Sequence, residues 1–503
     1  MYNFAGVLDH NLGRYPDKIV LAQGERRLSN REFFARVNAL AAAFRDLGIG
    51  SGDIVALLLY NHIEFVETVF ALNRLGAAFL PLNYRLSPAE WEFILTHAET
   101  AAILTEPEFA AAVAGVPVRH RLLLGPAQDG WLSYEDLLTA HVGETVPVEQ
   151  VGPDHLQRLM YTSGTTSRPK GVRISHANLL YKNLAHLVEF GITSADTTLV
   201  CGPLYHVGGL DLPGLGVLHA GGGLILQRKF DAAEVLDTIE RERPTNIWLA
   251  PSMMNAVLQL SDLAQRDTSS IRFVIGGGEK MPVPLVERIR EAFPSAWFAD
   301  AYGLTETVSG DTFNDPEHML SKVGSVGRPV VHLQVRIVDE LGVEVPAGEL
   351  GEITLSGPKV FSGYWRDEEA TAKALRDGWF HTGDIGRVDE DGYLFVEDRK
   401  KDMIVSGGEN IATPEVERVL YEHPEVVEAA VVGKPHERWG EVPKAFVVRR
   451  PGSTLSAEEL AVFCRERLAK FKVPAEIQFL DELPRTPSGK VLKRDLRSLP
   501  AIA

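Results

Sequence analysis

Tyr161-Thr162-Ser163-Gly164-Thr165-Thr166-Ser167-Arg168-Pro169-Lys170-Gly171 packs five Ser and Thr hydroxyls, two glycines and two cations into eleven residues. Many donors and little bulk suit such a loop to wrapping phosphate oxygens. It is not a Walker A loop, which requires Gly before the Lys and Ser or Thr after it; here Pro169 precedes Lys170 and Gly171 follows. Taken alone, the stretch reads equally as an ordinary surface loop.

Outward from it, short apolar runs alternate with helical spacing. Ser29 and Glu32 form a capping-box spacing ahead of a helix to about Leu47. Residues 54–59 read as a buried strand, Ile63–Leu75 as a helix and 77–80 as the next strand. Ser87-Pro88-Ala89-Glu90 repeats the capping signature with Pro at the first helical position, and Ala101–Thr105 is a further strand. Strands alternating with helices predict a largely parallel α/β sheet continuing to about residue 330. Between about 331 and 397 short strands separated by Gly, Pro and Asp turns predict a β-rich subdomain. From about 402 a compact α+β unit is expected, with the charged segment from Glu397 to Asp402 as the boundary. The expected organisation is an N-terminal domain over 1–398, a hinge at 399–402 and a C-terminal domain over 403–503.

At 503 residues the chain exceeds one ordinary core. A net charge of -17 argues against a general nucleic-acid or bilayer-surface binder, while leaving room for a local basic site. The two cysteines, Cys201 and Cys464, lie far apart and without metal-ligand spacing, so reduced buried thiols in a cytoplasmic protein are expected. The N-terminus carries no signal-peptide pattern, and no apolar run is long enough for a spanning helix.

Three further segments bear on chemistry. Asp300-Ala301-Tyr302-Gly303-Leu304-Thr305-Glu306-Thr307 sets an aromatic plane, a hydroxyl and a carboxylate close together, a set able to hold adenine, phosphate and Mg2+. Gly378-Trp379-Phe380-His381-Thr382-Gly383-Asp384 offers a glycine-flanked carboxylate able to accept from two vicinal hydroxyls; it also reads as a common turn. Pro484-Arg485-Thr486-Pro487-Ser488-Gly489-Lys490 holds a lysine on a Pro/Gly turn, which alone would be a solvated charge.

In this order and spacing the four segments resemble the adenylate-forming superfamily: acyl-CoA synthetases, carrier-loading adenylation domains and firefly-type luciferases. Pro203-Leu204-Tyr205-His206, Gly276-Gly277-Gly278, and Asp398-Arg399-Lys400-Lys401-Asp402 leading to Ser406-Gly407-Gly408-Glu409-Asn410 extend the match across nearly the whole chain. The resemblance implies a large N-terminal domain of α/β sheets with a β-rich subdomain, and a small mobile α+β C-terminal domain. It implies an ATP-dependent ligase with Mg2+ as cofactor, in which a carboxylate attacks the α-phosphate and a thiol then displaces AMP. Lys490 matches the adenylation lysine. Thr162, Ser163, Gly164, Thr165, Thr166 and Lys170 match the phosphate loop, Glu306 and Thr162 the metal ligands, and Thr305 an α-phosphate contact. Gly278, Asp300, Ala301, Tyr302 and Gly303 match the adenine site, and Asp384 with Arg399 the ribose site. Lys401 falls at the hinge, and Gly407 and Gly408 where the pantetheine of CoA passes. His206 matches a gate beside the acyl carboxylate.

The resemblance places the acyl pocket at His206, Val207, Gly208, Gly209, Leu210, Trp248, Met253, Met254, Gly276, Gly277, Tyr302 and Val308. These are mostly apolar or small, so a fatty or aryl acid is the expected substrate, with the glycines leaving room for length or a flat ring. No arginine lies in these stretches, which disfavours a dicarboxylate. Asp211 and Asp311 read either as turn or cap residues or as partners for a polar or cationic acid. CoA is the expected acceptor, because no phosphopantetheine serine motif follows Lys490; a carrier protein or an amine is the alternative. A non-catalytic nucleotide-binding protein is disfavoured by the intact set Lys490, Glu306, Asp384 and Lys170. Oligomeric state is left open, a homodimer included.

Overall fold

The structure, a computed structural model, describes residues 2–162, 169–277, 283–399, 402–406, 409–485 and 491–499. The predicted helix starts are realised by local hydrogen bonding. Ser29 accepts from the Glu32 amide while the Glu32 carboxylate accepts from the Ser29 amide at 2.8 Å, opening the helix Asn30–Asp46. Ser87 and Glu90 do the same for Pro88–His97, with Pro88 at the first turn. Each box satisfies amides that the helix itself cannot, and replacing such a cap by Ala costs about 1 kcal/mol.

Among the described residues two large sheets form the N-terminal part. One runs in the order Leu132–Ser133, His120–Leu123, Ala102–Thr105, Ile54–Leu58, Ala78–Pro81, Leu156–Thr162, Lys170–Ser175 and is parallel except for its last pair. The other places Trp297–Tyr302, Phe273–Gly277, Asn246–Leu249, Thr197–Val200, Gly223–Leu226 and Ile19–Gln23 side by side, all parallel, with short antiparallel strands at both edges. Strand alternation divides the apolar residues between faces. Val55, Leu57 and Phe79 of the first sheet share a core with Val200, Phe273 and Ile275 of the second and with the helices Asn30–Asp46 and Ile63–Arg74. Ile54, Ala56 and Leu58 face outward onto Pro88–His97, and Leu199, Ile247 and Val274 face outward onto the helices Ala232–Glu242 and Pro251–Leu258.

The region read as β-rich is an antiparallel sheet of Gln334–Val338, Gly351–Ser356, Trp379–Val388, Leu375–Arg376 and Leu394–Arg399. Its last strand continues through Glu397, Asp398 and Arg399, so half of the charged segment from Glu397 to Asp402 is ladder rather than linker. Beyond it, Val426–His436, Gly440–Arg449 and Glu476–Phe479 form a separate sheet packed on the helices Thr413–Tyr421 and Ala457–Arg465. Asp398 joins the two parts: its Oδ2 accepts from the amide and hydroxyl of Thr413 at 2.7 and 2.8 Å. Both cysteines are free and buried, and burial pushes their thiols up to about 12 and about 11.

Candidate active site

Parallel pairing brings the carboxyl ends of Thr197–Val200, Asn246–Leu249, Phe273–Gly277 and Trp297–Tyr302 to one edge of the second sheet, where ligands of open α/β sheets bind. Gly276 pairs with Asp300 and Gly277 with Ala301. A Cβ on Gly277, whose φ is 147°, would lie 2.4 Å from the Ala301 carbonyl, and one on Gly303 would lie 2.3 Å from the Gly310 nitrogen. Only glycine permits those approaches. After the turn Thr305–Thr307 the chain passes through Val308 and Ser309 at φ of 59° and 62°, a left-handed pair that is costly for a β-branched residue. The Ser309 amide donates to Leu304 O at 2.8 Å and the Asp311 amide to Tyr302 O at 2.7 Å, which holds the bend closed.

Tyr302 and Asp384 come from different sheets and meet at this edge. The Tyr302 hydroxyl donates to Asp384 Oδ2 at 2.7 Å, and Arg399 Nε lies 3.5 Å from Asp384 Oδ1. Asp384 pairs with Arg399 across the β-rich sheet, which fixes that approach. Burial, then the Asp384 charge, drives the Tyr302 hydroxyl well above its ordinary pKa, so it remains a donor. The adenine-platform and ribose candidates are thus joined by a direct hydrogen bond.

Glu306 is buried, which raises its carboxyl pKa; the Tyr364 hydroxyl, donating to Glu306 Oε1 at 2.9 Å, opposes the rise. Lys170 Nζ sits over the Tyr364 ring, 4.9 Å from its centroid. Lys170 pairs with Thr162 across the antiparallel strands Leu156–Thr162 and Lys170–Ser175. One chain of contacts therefore runs from the base of the hydroxyl loop to the candidate metal carboxylate. Thr305 stands half-buried on the same turn. Sequence reasoning gave Tyr364 no role; its place in Phe361-Ser362-Gly363-Tyr364-Trp365, an aromatic cluster between a strand and a capped helix, was the available signal.

His206 caps the short helix Val207–Asp211, its Nδ1 accepting from the Gly208 amide at 3.0 Å. That bond places the neutral ring's proton on Nε2. Its ring lies over Trp248, centroids 5.9 Å apart and planes 26° from parallel. The expectation that Gly208 and Gly209 leave room for substrate is corrected here. A Cβ on Gly208 would lie 2.3 Å from the Trp248 indole, and one on Gly209 would lie 2.3 Å from the Pro203 carbonyl. These glycines admit a tryptophan and a backbone turn. Met254 is also corrected: it packs with Leu199, Ile247 and Val257 on the sheet face opposite Trp248. Met253 touches both cores, and Val207 and Val308 are buried in the central one.

Asp211 and Asp311 face inward to cations. Arg158 donates to Asp211 Oδ2 at 2.6 Å, with Lys182 Nζ 3.9 Å from Oδ1 and bonded to the Asp211 carbonyl. Lys359 lies 2.8 Å from Asp311 Oδ1 and donates to the carbonyls of Ser309 and Gly310 at 2.9 and 2.7 Å. All five side chains are buried. Burial pushes Lys182 down to about 7, with Asp211 opposing and Arg158 and Lys359 adding to the fall. Sequence reasoning missed the three cations, because they lie in segments remote from the pocket motifs.

Ser163, Gly164, Thr165, Thr166, Gly278, Lys401, Gly407, Gly408 and Lys490 lie outside the described residues. Among the described residues no helix is long and apolar enough to cross a membrane.

The profile of the AMP-binding enzyme family matches residues 8–365, and that of the AMP-binding enzyme C-terminal domain matches 415–490. A feruloyl-CoA synthase of Amycolatopsis sp is 42% identical over 482 residues, covering 96% of each chain. An indoleacetate–CoA ligase of Aromatoleum aromaticum is 40% identical over 501 residues, covering 98% of this chain and 97% of the relative. The crystal structure of the anthranilate CoA ligase AuaEII in complex with anthranoyl-AMP superposes with a TM-score of 0.92 at 30% identity, covering 99% of this chain and 96% of that one. With both profiles matched in order and such relatives aligned nearly end to end, this chain belongs to the AMP-binding, adenylate-forming enzyme family.

Proposed function

We propose that this protein is an AMP-forming acid–CoA ligase acting on an aromatic carboxylic acid. The observation that carries the nucleotide part is the Tyr302–Asp384–Arg399 cluster standing beside Glu306 at the carboxyl ends of the parallel strands. The aromatic acid is supported by the stacked rings of His206 and Trp248, with the indole against Gly208, and by the aromatic acids named for the feruloyl, indoleacetate and anthranilate ligases.

A carboxylate is a poor acylating agent because its leaving group is oxide; joining it to AMP supplies a good one. That first step brings an anion to a polyanion, so positive charge and positioning matter more than proton transfer. In this reading Lys170 and the hydroxyl loop hold the outer phosphates, Tyr302 lies against adenine and Asp384 accepts from the ribose hydroxyls. Lys490 spans the acid and the α-phosphate. In the same reading His206 stands beside the acid's carboxylate, its ring fixed by the bond from the Gly208 amide to Nδ1.

A magnesium ion fits the donor set. Glu306 is a buried carboxylate with one oxygen taken by Tyr364, and Thr162 adds a hard hydroxyl one strand pair from Lys170. Glu306 and Thr162 would hold the ion, which when bound offsets charge on the phosphates. After pyrophosphate leaves, the C-terminal domain turns about Lys401, Lys490 withdraws, and the thiol enters past Gly407 and Gly408.

Acid-dependent exchange of pyrophosphate into ATP tests the first half. A panel of aryl, fatty and short dicarboxylic acids should exchange with hydroxycinnamic or indolic acids foremost. Addition of CoA, a phosphopantetheinyl carrier protein or an amine should release AMP with CoA alone. Exchange with no acid, or AMP release only with an amine, refutes the proposal.

A further inference from the structure

The segment Phe361–Arg366 is stitched to both halves of the cleft. At one end the Phe361 amide donates to the Glu306 carbonyl at 2.7 Å. At the other, the Trp365 amide donates to Gly171 O at 2.7 Å and Gly363 O accepts from the Arg173 amide at 3.2 Å. Between them Tyr364 bridges Val172 through its backbone, and its amide donates to Thr371 Oγ1 at 2.9 Å. Gly363 has φ of 131°, and a Cβ there would lie 2.6 Å from Thr371. The ring of Phe361 abuts that of Tyr364 at 4.9 Å. The backbone that carries Tyr364 is therefore anchored on both sides, apart from the contacts its side chain makes.

What it touches is a cation and an anion. The Tyr364 hydroxyl donates to Glu306 Oε1 at 2.9 Å, while the ring face receives Lys170 Nζ, 4.9 Å from its centroid. Lys170 is half-buried and Glu306 buried, a setting in which an ammonium and a carboxylate free to approach each other attract more strongly than in water. The phenol touches both groups. It offers each charge a weaker partner: a π face to the ammonium and one hydroxyl to one carboxylate oxygen.

We propose that Tyr364 is a positioning residue and spacer: it keeps Lys170 and Glu306 apart, so that Lys170 stays available to phosphate and Glu306 to the cation that accompanies it. This rests on the nucleotide and metal roles proposed above for those two residues. Tyr364→Phe keeps the spacer and removes the donor. Tyr364→Ala removes both, which lets Lys170 fall onto Glu306.

The test is calorimetric binding of ATP to the full-length protein, with and without Mg2+, alongside thermal melting. In Tyr364→Phe the ATP affinity without metal should equal the wild-type value, and the gain on adding Mg2+ should shrink by roughly ten- to a hundredfold, the worth of one hydrogen bond to a charged group. In Tyr364→Ala affinity should fall roughly tenfold or more without metal as well, and Lys170→Met in that background should add little further loss. A Tyr364→Phe variant with the wild-type metal increment overturns the proposal, as does a Tyr364→Ala variant that melts lower yet binds ATP normally. Glu306→Gln separates the two levels. If it leaves the metal increment intact, the underlying assignment of Glu306 fails; if it abolishes the increment that Tyr364→Phe preserves, that assignment stands and the positioning of Glu306 by the Tyr364 hydroxyl fails.

Discussion

Tyr302 and Asp384 are 82 positions apart and belong to different sheets, yet the phenol hydroxyl of one donates to the carboxylate of the other at 2.7 Å. In the reading proposed above, the flat surface for a base and the acceptor for a sugar are thereby set in mutual register. Pre-formed geometry of this kind lowers the ordering cost of binding. Asp384→Ala should raise the KM for ATP more than tenfold. Tyr302→Phe, which keeps the ring and loses only the bond, should raise it about ten- to a hundredfold, the worth of one charge-assisted hydrogen bond. Steady-state pyrophosphate exchange with varied ATP reads both, and an unchanged KM in Tyr302→Phe would show the bond to be incidental.

Trp248 fills the space over Gly208 and lies under the His206 ring. Trp248→Leu should open that space and change which acid is preferred rather than abolish exchange. Long-chain fatty acids should gain in kcat/KM relative to a hydroxycinnamic acid by about tenfold, as expected for a pocket difference of one to two methylenes. The acid panel run on both proteins measures this; a uniform loss across all acids would place Trp248 in the scaffold only.

The buried ions near the candidate pocket should respond unequally to truncation. Asp211→Leu strands Arg158 and Lys182 and should cost about 3–5 kcal/mol, the range for uncompensated buried charge. Arg158→Met leaves Asp211 with Lys182, whose Nζ is already 3.9 Å away, and should cost less. Denaturant midpoints of the two variants decide the order. Equal losses would mean that Lys182 is uncharged and does not compensate.

Stability should fall on mild acidification. Burial lowers His176 to about 3 and His219 to about 4, and drives His186 well below its ordinary value. Unfolded histidines titrate near 6.5, so between there and the folded values the unfolded state binds more protons. Stability from these residues is complete above about pH 6.5 and declines as pH falls, by up to about 1.4 kcal/mol per pH unit for each histidine. Thermal midpoints from pH 7 to 5 should drop steadily, and His176→Gln should make the decline shallower. A midpoint flat across that range contradicts the buried neutral state.

The capping boxes at Ser29 and Ser87 and the strands from Ile54 to Thr105 were legible in sequence, because their causes lie within a few residues: a hydroxyl, a carboxylate three positions on, a run of apolar side chains. Segment boundaries erred by a residue or two, and the β-rich sheet ran on through Arg399 because Asp384 pairs with it across the ladder. Pocket volume was not legible. Glycine in a motif suggests space, and only the packed structure reveals that an indole occupies it.

By itself, the order of residues determined the succession of helices and strands and the set of groups able to meet a nucleotide, since local hydrogen bonding and motif spacing depend on near neighbours. Tertiary structure decided which distant side chains meet: Tyr302 with Asp384, Tyr364 with Glu306 and Lys170, Arg158 with Asp211. Those contacts arise from the pairing of strands and the stacking of sheets, and their energies depend on burial that no short stretch of chain can confer alone.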